Sequence, residues 1–438
     1  MIKRFIVICI TIISSAAFAQ QGTGSPYSFY GIGSLKFKGT VENRSMGGMS
    51  VYLDSIHFNL KNPASYAGNP LKGPYFNGES RPVKFTVAGT MTESTLESNF
   101  GEANTNSTIF DYLAVSVPLG KFGLGFGLLP YTSVGYKLDD ITDDSVIVNR
   151  FSGEGGLNRV FAGLGYQVTE KLSVGMDFNY NFGNIQNVAL EIQYTPEGDV
   201  VQYQTSEFNR SDLSGLNVNF GLNYKTMITD KLELSTTATY APGNKLSSDN
   251  IRTLSTVTVD ATTLQTTSVS NTIEADLGEQ KSTKLTLPAT VSFGVGVGDP
   301  KSWFVGTEYT YQSSADFSNP VFPNQNSTFE NSSRIAVGGF FIPDYNAFSG
   351  YLKRVVYRAG FNFANTGLVV KDESIKEFGI SFGLGLPVGN RNMFSNANLG
   401  LEFGKRGTTN QNLIQENFIN LNVSLSLNSR WFEQKKYN

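Results

Sequence analysis

The chain has 438 residues, a formal net charge of -3 and only 16% charged residues, together with 13% aromatic residues and 45 glycines. Nucleic-acid-binding domains need a basic face, so this composition excludes nucleic acid as a partner. Soluble domains carry about 25% charged residues. The low share here indicates either a large secreted β-protein or an outer-membrane β-barrel.

The first residues predict a secretory signal peptide over residues 1–19. Lys3 and Arg4 precede an apolar run, and a small-residue cleavage site follows at Ala17-Phe18-Ala19. The apolar run is too short for a transmembrane helix, which needs about 20 residues. The single cysteine, Cys9, lies inside this segment. We therefore expect a mature chain without a disulfide or a thiolate ligand.

Residues 20–80 show little alternation and are predicted to form an N-terminal plug, or hatch, in the lumen of the structure that follows. The centre of this segment, residues 43–67, contains a Gly-Gly pair and an Asn-Pro-Ala motif. The hatch residues predicted from these motifs are Gly47, Gly48, Asn62, Pro63 and Ala64.

Aromatic residues spaced by small residues lie just before this centre. Phe29, Tyr30 and Ile32 are the candidate substrate-binding residues of that run. Inside a lumen they either line an apolar pocket or pack the hatch against the wall. The sequence leaves both roles open.

From Ser80 onward, apolar residues alternate with small polar residues over stretches of about ten, the length that a tilted transmembrane strand needs. Strands of a soluble sandwich average about 5–6 residues. The expected fold is therefore an all-β transmembrane antiparallel barrel over residues 81–428. About fourteen strands are predicted, an even number as in bacterial single-chain barrels: 81–91, 106–118, 121–137, 156–168, 171–186, 207–226, 230–244, 283–298, 302–314, 332–343, 352–364, 375–386, 396–406 and 417–428.

The connections between these strands alternate between short and long. Short periplasmic turns and long outer loops are typical of such barrels, so both termini are expected in the periplasm, with a short periplasmic tail over residues 429–438. The loop at 245–282 is rich in Thr and Ser. It is either a pair of strand extensions above the membrane or a disordered polar loop.

Residues for catalysis, cofactor binding or metal binding are sparse. His57 is the only histidine, with Asp54 three residues before it, and no G-x-S-x-G nucleophile elbow is present. A polar contact inside the hatch is the expected role of His57. The glycines at 123, 125 and 127 are spaced as in a strand and do not fit the dinucleotide fingerprint. We predict no enzyme activity, no cofactor and no metal site.

Several charged residues point toward the lumen by strand parity. Glu308, Arg358 and Glu402 are the candidate lumen charges, since Arg or Lys facing lipid at mid-depth would cost about 2–4 kcal/mol. They either line a water path or anchor the hatch through ion pairs. Anchoring is the favoured interpretation, with Arg358 paired to Glu308 or Glu402.

Three motifs resemble the FadL-type family of long-chain fatty-acid transporters and its relatives among Bacteroidota outer-membrane proteins. They are Met46-Gly47-Gly48 with Asn62-Pro63-Ala64, the strand that contains Leu287-Pro288-Ala289, and Tyr357-Arg358-Ala359-Gly360. The resemblance covers essentially the whole mature chain. It implies a fourteen-stranded barrel with a hatch that takes up hydrophobic, fatty-acid-like molecules without covalent chemistry.

The resemblance also implies a lateral exit at a kinked third strand. That strand contains Leu129 and Pro130, and a proline inside a sheet is restricted to edges and bulges. Pro130 either marks a lateral gate or merely ends the membrane section.

The outer loops are polar, unlike those of relatives that capture fatty acids. The alternative function is therefore a non-transporting subunit of an outer-membrane protein secretion or insertion complex. The partners expected are membrane lipid, a hydrophobic ligand and, under the alternative, secretion or assembly proteins.

Overall fold

A computed structural model describes residues 22–54, 56–68, 81–142, 146–317, 327–388 and 395–429. The predicted signal peptide, residues 69–80 of the predicted hatch and the predicted tail beyond residue 429 lie outside these residues. In chain order the strands are β1 (Ser34–Leu35), β2 (Val83–Ser98), β3 (Gly101–Leu119), β4 (Phe122–Pro130), β5 (Thr132–Ile141), β6 (Ile147–Gln167), β7 (Leu172–Glu191), β8 (Gln204–Met227), β9 (Glu233–Ala241), β10 (Asn244–Val259), β11 (Thr266–Glu274), β12 (Ser282–Leu287), β13 (Thr290–Asp299), β14 (Trp303–Gln312), β15 (Ser327–Phe329), β16 (Ser332–Phe341), β17 (Val356–Val370), β18 (Glu373–Val388), β19 (Ser395–Arg406) and β20 (Gln415–Ser429).

All of these strands except β1, β11 and β15 build the wall of one closed antiparallel barrel. Three wall strands are interrupted and consist of two segments each, namely β4 with β5, β9 with β10, and β12 with β13. The wall therefore has fourteen strands, as predicted. The barrel closes where β2 pairs with β20 along its whole length.

The wall strands alternate between apolar side chains that face outward and polar side chains that face the lumen. On β7, Phe178 is 56% exposed, whereas its neighbours Asp177 and Asn179 are 1% exposed. A closed barrel pairs backbone groups between its strands, and an outward apolar band is what the hydrocarbon of a bilayer requires. Among the described residues, no helix is long and apolar enough to cross a membrane.

Several strands continue well beyond the length of a membrane span. The predicted strands 81–91 and 106–118 leave residues 92–105 as a connection, which is wrong, because β2 and β3 stay paired up to Ser98 and Gly101. This part of the hairpin carries polar residues on both faces, so it shows no hydrophobic period. Only the backbone pairing between β2 and β3 continues the sheet there.

The Thr- and Ser-rich stretch at 245–282 also forms strands, which supports the strand-extension interpretation over the disordered loop. β10 continues to Val259 and turns back as β11. A small apolar core supports the extension; its buried members are Leu190, Ile192, Val257 and Leu264.

The third wall strand breaks at Tyr131, between β4 and β5. β6 pairs with both segments, but β3 pairs with β4 only from Leu113 to Leu119. Residues 101–112 of β3 pair with β2 on one side and have no strand partner on the other among the described residues. The wall thus has an unpaired edge beside Pro130.

The described part of the N-terminal segment consists of short helices and one short strand, joined by loops. A 3-10 helix at Pro26–Phe29 is followed by β1, helix α1 (Val41–Arg44) and a second 3-10 helix at Pro63–Tyr66. Thr40 and Asn43 form a capping box at the start of α1, which satisfies backbone donors that a four-residue helix would otherwise leave free. β1 pairs with the first residues of β5.

Candidate functional site

The Asn-Pro-Ala motif is seated against a patch of glycines on the inner face of the wall. A Cβ added to Gly123 would lie 1.8 Å from the Tyr66 carbonyl oxygen, and one added to Gly175 would lie 2.4 Å from the Pro63 carbonyl carbon. Asn62 caps the helix by accepting from the Ala64 amide and donates to the Leu222 carbonyl oxygen of β8, 3.0 Å away. The wall glycines of β4 and β7 thus give the chain its close approach, as a strand glycine allows.

The Gly-Gly motif is seated on the opposite stretch of wall in the same way. Gly47 has a φ of +70°, and a Cβ there would lie 2.4 Å from the Phe361 carbonyl oxygen of β17. A Cβ on Gly360 would lie 2.0 Å from the Gly47 nitrogen. The Gly47 amide donates to Ser381 Oγ at 2.9 Å. Both motifs of the N-terminal segment therefore require glycine on one or both sides of the contact.

Glu308 of β14 is a lumen carboxylate that makes three contacts with the N-terminal segment. It accepts from the Ser50 amide at 2.7 Å and the Ser50 hydroxyl at 2.8 Å, and it pairs with Lys61. Its side chain is 4% exposed. It therefore joins two points of the N-terminal segment to the wall.

The predicted partners of Arg358 are wrong. Arg358 donates to Asn398 Oδ1 at 3.1 Å, and Asn398 donates to Glu42 of α1 at 2.7 Å. Glu402 lies 3.8 Å from Arg44. Strand parity correctly placed these side chains in the lumen, but only the path of the N-terminal segment decides which of its residues each one meets.

His57 makes contacts that suit a structural role. Its Nδ1 lies 2.6 Å from Asp54 Oδ2, and its carbonyl oxygen accepts from Lys84 Nζ at 2.8 Å. Burial alone would raise the pKa of the Asp54 carboxyl, but His57 holds it below its usual range. No group of three potential metal ligands occurs within the described ranges.

The candidate substrate-binding residues lie where the N-terminal segment meets an apolar part of the wall. The Phe29 ring centroid is 5.1 Å from that of Tyr136 and 5.8 Å from that of Phe151. Ile32 is 6% exposed and packs in the same cluster. Behind Phe29 lies a pocket of about 140 Å³, which we call the small pocket; its apolar lining is Phe29, Val134, Tyr136, Phe151, Ile185, Val188, Ala189 and Leu213.

A second cavity of about 530 Å³, here called the main cavity, occupies the lumen beside the N-terminal segment. Tyr30, Ile32, Leu129 and Pro130 all border it. Seven cationic side chains line it against three carboxylates; the cations are Lys36, Lys38, Arg44, Lys61, Arg159, Arg334 and Arg406, and the carboxylates are Glu377, Glu402 and Glu416. The cavity is thus mixed in polarity, with an excess of positive charge.

The main cavity also reaches the unpaired edge of β3, where Thr105 and Ile109 line it. The first described residues of the chain lie at this edge. A Cβ on Gly24 would lie 1.9 Å from the Thr105 hydroxyl, and one on Gly22 would lie 2.7 Å from the Ser133 hydroxyl of β5. Glycine lets this stretch lie between β3 and β5.

The sequence did not indicate Tyr136, Phe151 or Arg159 as site residues. Leu157, Arg159 and Phe161 all face inward on β6, with 0%, 5% and 4% of their surface exposed. Apolar residues therefore occupy both faces of this strand, and the polar-inward rule does not apply there. The Arg159 guanidinium lies 4.0 Å from the Tyr131 ring, a contact that depends on the break in the third strand.

The closed fourteen-stranded barrel, with the N-terminal segment packed against its inner face, has the fold of FadL-type outer-membrane barrels. Several solved structures share this fold. The toluene transporter TodX of Pseudomonas putida is 16% identical with a TM-score of 0.60, over 91% of this chain and 100% of that one. The toluene transporter TbuX of Ralstonia pickettii is 14% identical with a TM-score of 0.58, over 90% and 100%. A Pseudomonas aeruginosa FadL homologue is 12% identical with a TM-score of 0.56, over 91% and 99%.

The resemblance to FadL-type proteins is thus confirmed at the level of the fold. The chain belongs to the BamG family, whose model matches residues 1–438. A comparison with curated proteins finds no match.

Proposed function

We propose that the chain is an outer-membrane barrel that takes hydrophobic small molecules into its lumen and releases them sideways beside Pro130. The observation that carries the proposal is the main cavity, which borders Tyr30 and Ile32 as well as the unpaired edge of β3. In this proposal the N-terminal segment acts as the hatch, and both termini lie in the periplasm.

The small pocket supports a hydrophobic substrate. An engineered cavity of about 150 Å³ in another protein binds benzene, so a pocket of about 140 Å³ is large enough for one aromatic ring or a short acyl segment. Its lining is mixed, with the apolar side chains named above and the polar side chains of Ser28, Asn187, Asn209, Ser211 and Ser248. TodX and TbuX, two neighbours in fold, are toluene transporters. The apolar rings around Phe29 would bind such a group by removing its surface from water, at about 25 cal/mol per Å².

The charges of the main cavity favour a molecule with an anionic end. Seven cationic side chains line it against three carboxylates, and one of the seven, Lys61, is paired with Glu308 outside the lining, which leaves an excess of three. A carboxylate gains more than a neutral group from such a site. A fatty-acid-like molecule combines both properties, with its chain toward the apolar rings and its carboxylate among the cations.

A disulfide across the edge of the wall tests the lateral exit. A Cβ on Gly22 would lie 3.1 Å from that of Ser133, close to the separation of about 3.5–4.5 Å in disulfides. The variant Gly22→Cys/Ser133→Cys would hold the first described residues against β5. Oxidation should stop transfer of radiolabelled oleate into the outer membrane while oleate binding by the purified barrel persists.

The matched control is a second disulfide at a site remote from the edge. Ser255 and Thr272 face each other on β10 and β11, with hydroxyls 2.9 Å apart, and Ser255→Cys/Thr272→Cys should leave transfer unchanged. Equal transfer by the oxidised and reduced Gly22→Cys/Ser133→Cys variant would remove the lateral exit from the proposal. Absence of oleate binding would remove the fatty-acid-like substrate.

A second candidate function, a subunit of an outer-membrane secretion or insertion complex, is favoured by β11. All nine residues of β11 are exposed, and within the described residues this strand pairs on one side only, with β10. Exposed strand edges can add a strand from another protein.

Purification from native membranes, with mass spectrometry of the organic extract and the protein bands, separates the two functions. A stoichiometric acyl or aromatic compound supports transport, whereas stoichiometric protein partners with an empty lumen support the subunit function.

A further inference from the structure

The loop between β16 and β17 is longer than the other described connections at its end of the barrel. It runs from residue 342 to 355, whereas the turn between β13 and β14 at the same end comprises residues 300–302. It also displays apolar side chains. Phe348 is 88% exposed, the highest value of any large hydrophobic residue in the described part of the chain, and Leu352 is 69% exposed.

Hydrogen bonds hold the second half of this loop against the outer surface of the wall. Tyr357, which faces outward on β17, donates its hydroxyl to the Leu352 carbonyl oxygen at 3.3 Å. The Tyr351 hydroxyl donates to the Pro387 carbonyl oxygen of β18 at 3.0 Å. The loop closes on itself where the Asp344 amide donates to the Lys353 carbonyl oxygen at 2.8 Å. Leu352 therefore lies on the lipid side of the barrel rather than under the lumen.

The wall next to this loop carries a row of aromatic residues. Trp303 pairs with Phe341, and Phe341 pairs with Tyr357, on three adjacent strands. All three face outward, with exposed fractions of 37%, 52% and 37%. Outward aromatic residues at the end of a barrel mark the boundary between hydrocarbon and headgroups. The loop thus lies at the depth of the lipid headgroups.

Two cations complete this surface. Lys353 is exposed, and Arg354 follows it directly in the 3-10 helix at Tyr351–Arg354. A short segment with apolar side chains on one side and basic side chains beside them is the composition of membrane-surface anchors. Basic residues close to a leaflet gain from anionic headgroups.

We propose that the 342–355 loop is a membrane anchor that binds the phospholipid leaflet at this end of the barrel. Phe348 and Leu352 enter the boundary between headgroups and acyl chains, and Lys353 contacts the headgroup phosphates. The lipid surface is the occupant because the loop continues the outward apolar band of the wall, through Tyr357 and Phe341. This proposal is independent of what the lumen carries.

A fluorescent label next to the apolar pair tests the proposal. Ser349 is exposed and lies between Phe348 and Leu352, so Ser349→Cys adds a labelling site without removing either side chain. The only other cysteine, Cys9, is replaced by serine. The barrel is reconstituted in nanodiscs that contain lipids brominated near the headgroup end of the acyl chain. The control is Asp230→Cys, in the exposed turn between β8 and β9 at the same end of the barrel.

Bromolipid should quench the label at residue 349 and leave the label at residue 230 bright. Phe348→Ser/Leu352→Ser should abolish the quenching at 349, and Lys353→Glu should reduce it more in discs with phosphatidylglycerol than in zwitterionic discs. Equal emission from both labels in bromolipid would overturn the proposal. So would an emission shift at 349 that occurs only in native outer membranes, because that result would identify a protein partner instead of lipid.

Discussion

Removal of the Glu308 carboxylate should release the N-terminal segment from the wall without unfolding the barrel. In Glu308→Ala, Lys61 loses its buried partner and Ser50 loses the acceptor of two hydrogen bonds of 2.7 and 2.8 Å. Breaking a buried pair from one side costs about 3–5 kcal/mol. Since the Lys61 side chain is 16% exposed, the lower end applies, and each 1.4 kcal/mol is about a tenfold change. Local opening of this segment should therefore become about 100-fold more frequent.

Hydrogen–deuterium exchange with mass spectrometry measures this opening on peptides from residues 43–62. The matched control is Asp212→Ala, which breaks the exposed Arg210–Asp212 pair, with side chains 40% and 45% exposed and 2.9 Å between charged atoms. An exposed pair contributes about 0–1 kcal/mol, so this control should exchange like the unmodified chain. If Glu308→Ala exchanges no faster than Asp212→Ala, the idea that Glu308 anchors the segment is wrong.

Three further predictions concern the motifs and the small pocket. Gly47→Ala should speed exchange over the same peptides, because its Cβ would meet the wall at 2.4 Å. Gly120→Ala, also at positive φ but with no described atom within 4 Å of the added Cβ, should not; equal effects would mean that backbone strain alone matters. Asn62→Ala should loosen the 63–66 helix by about 1 kcal/mol, the usual contribution of such a cap, and unchanged exchange there would contradict the cap. Ala189→Trp should fill the small pocket and abolish binding of toluene, measured by equilibrium dialysis, without lowering the temperature at which the barrel unfolds on a gel; undiminished binding would place the ligand elsewhere.

The architecture of this protein was largely determined by its sequence. Alternation with period two, as at Ile419 to Val423, directly encodes which face of a strand meets lipid, because successive side chains point to opposite sides. The same parity placed Glu308, Arg358 and Glu402 in the lumen. The motifs at Gly47 and Asn62 lie where the backbone approaches the wall, and at each contact a missing Cβ permits the approach, on Gly47 itself in the first case and on wall glycines such as Gly175 in the second.

Only the tertiary structure determined which side chains contact each other and where the wall and the lumen are open. Arg358 meets Asn398 rather than a lumen carboxylate because the course of the N-terminal segment places Lys61 next to Glu308 instead. Pro130 could be located in the sequence, but the divergence of β3 from β5 could not, because an unpaired edge depends on the register of strands on both sides. The two cavities likewise are spaces between segments far apart in the chain. A linear pattern specifies which faces are apolar, whereas volumes and pairings arise only when those faces are brought together.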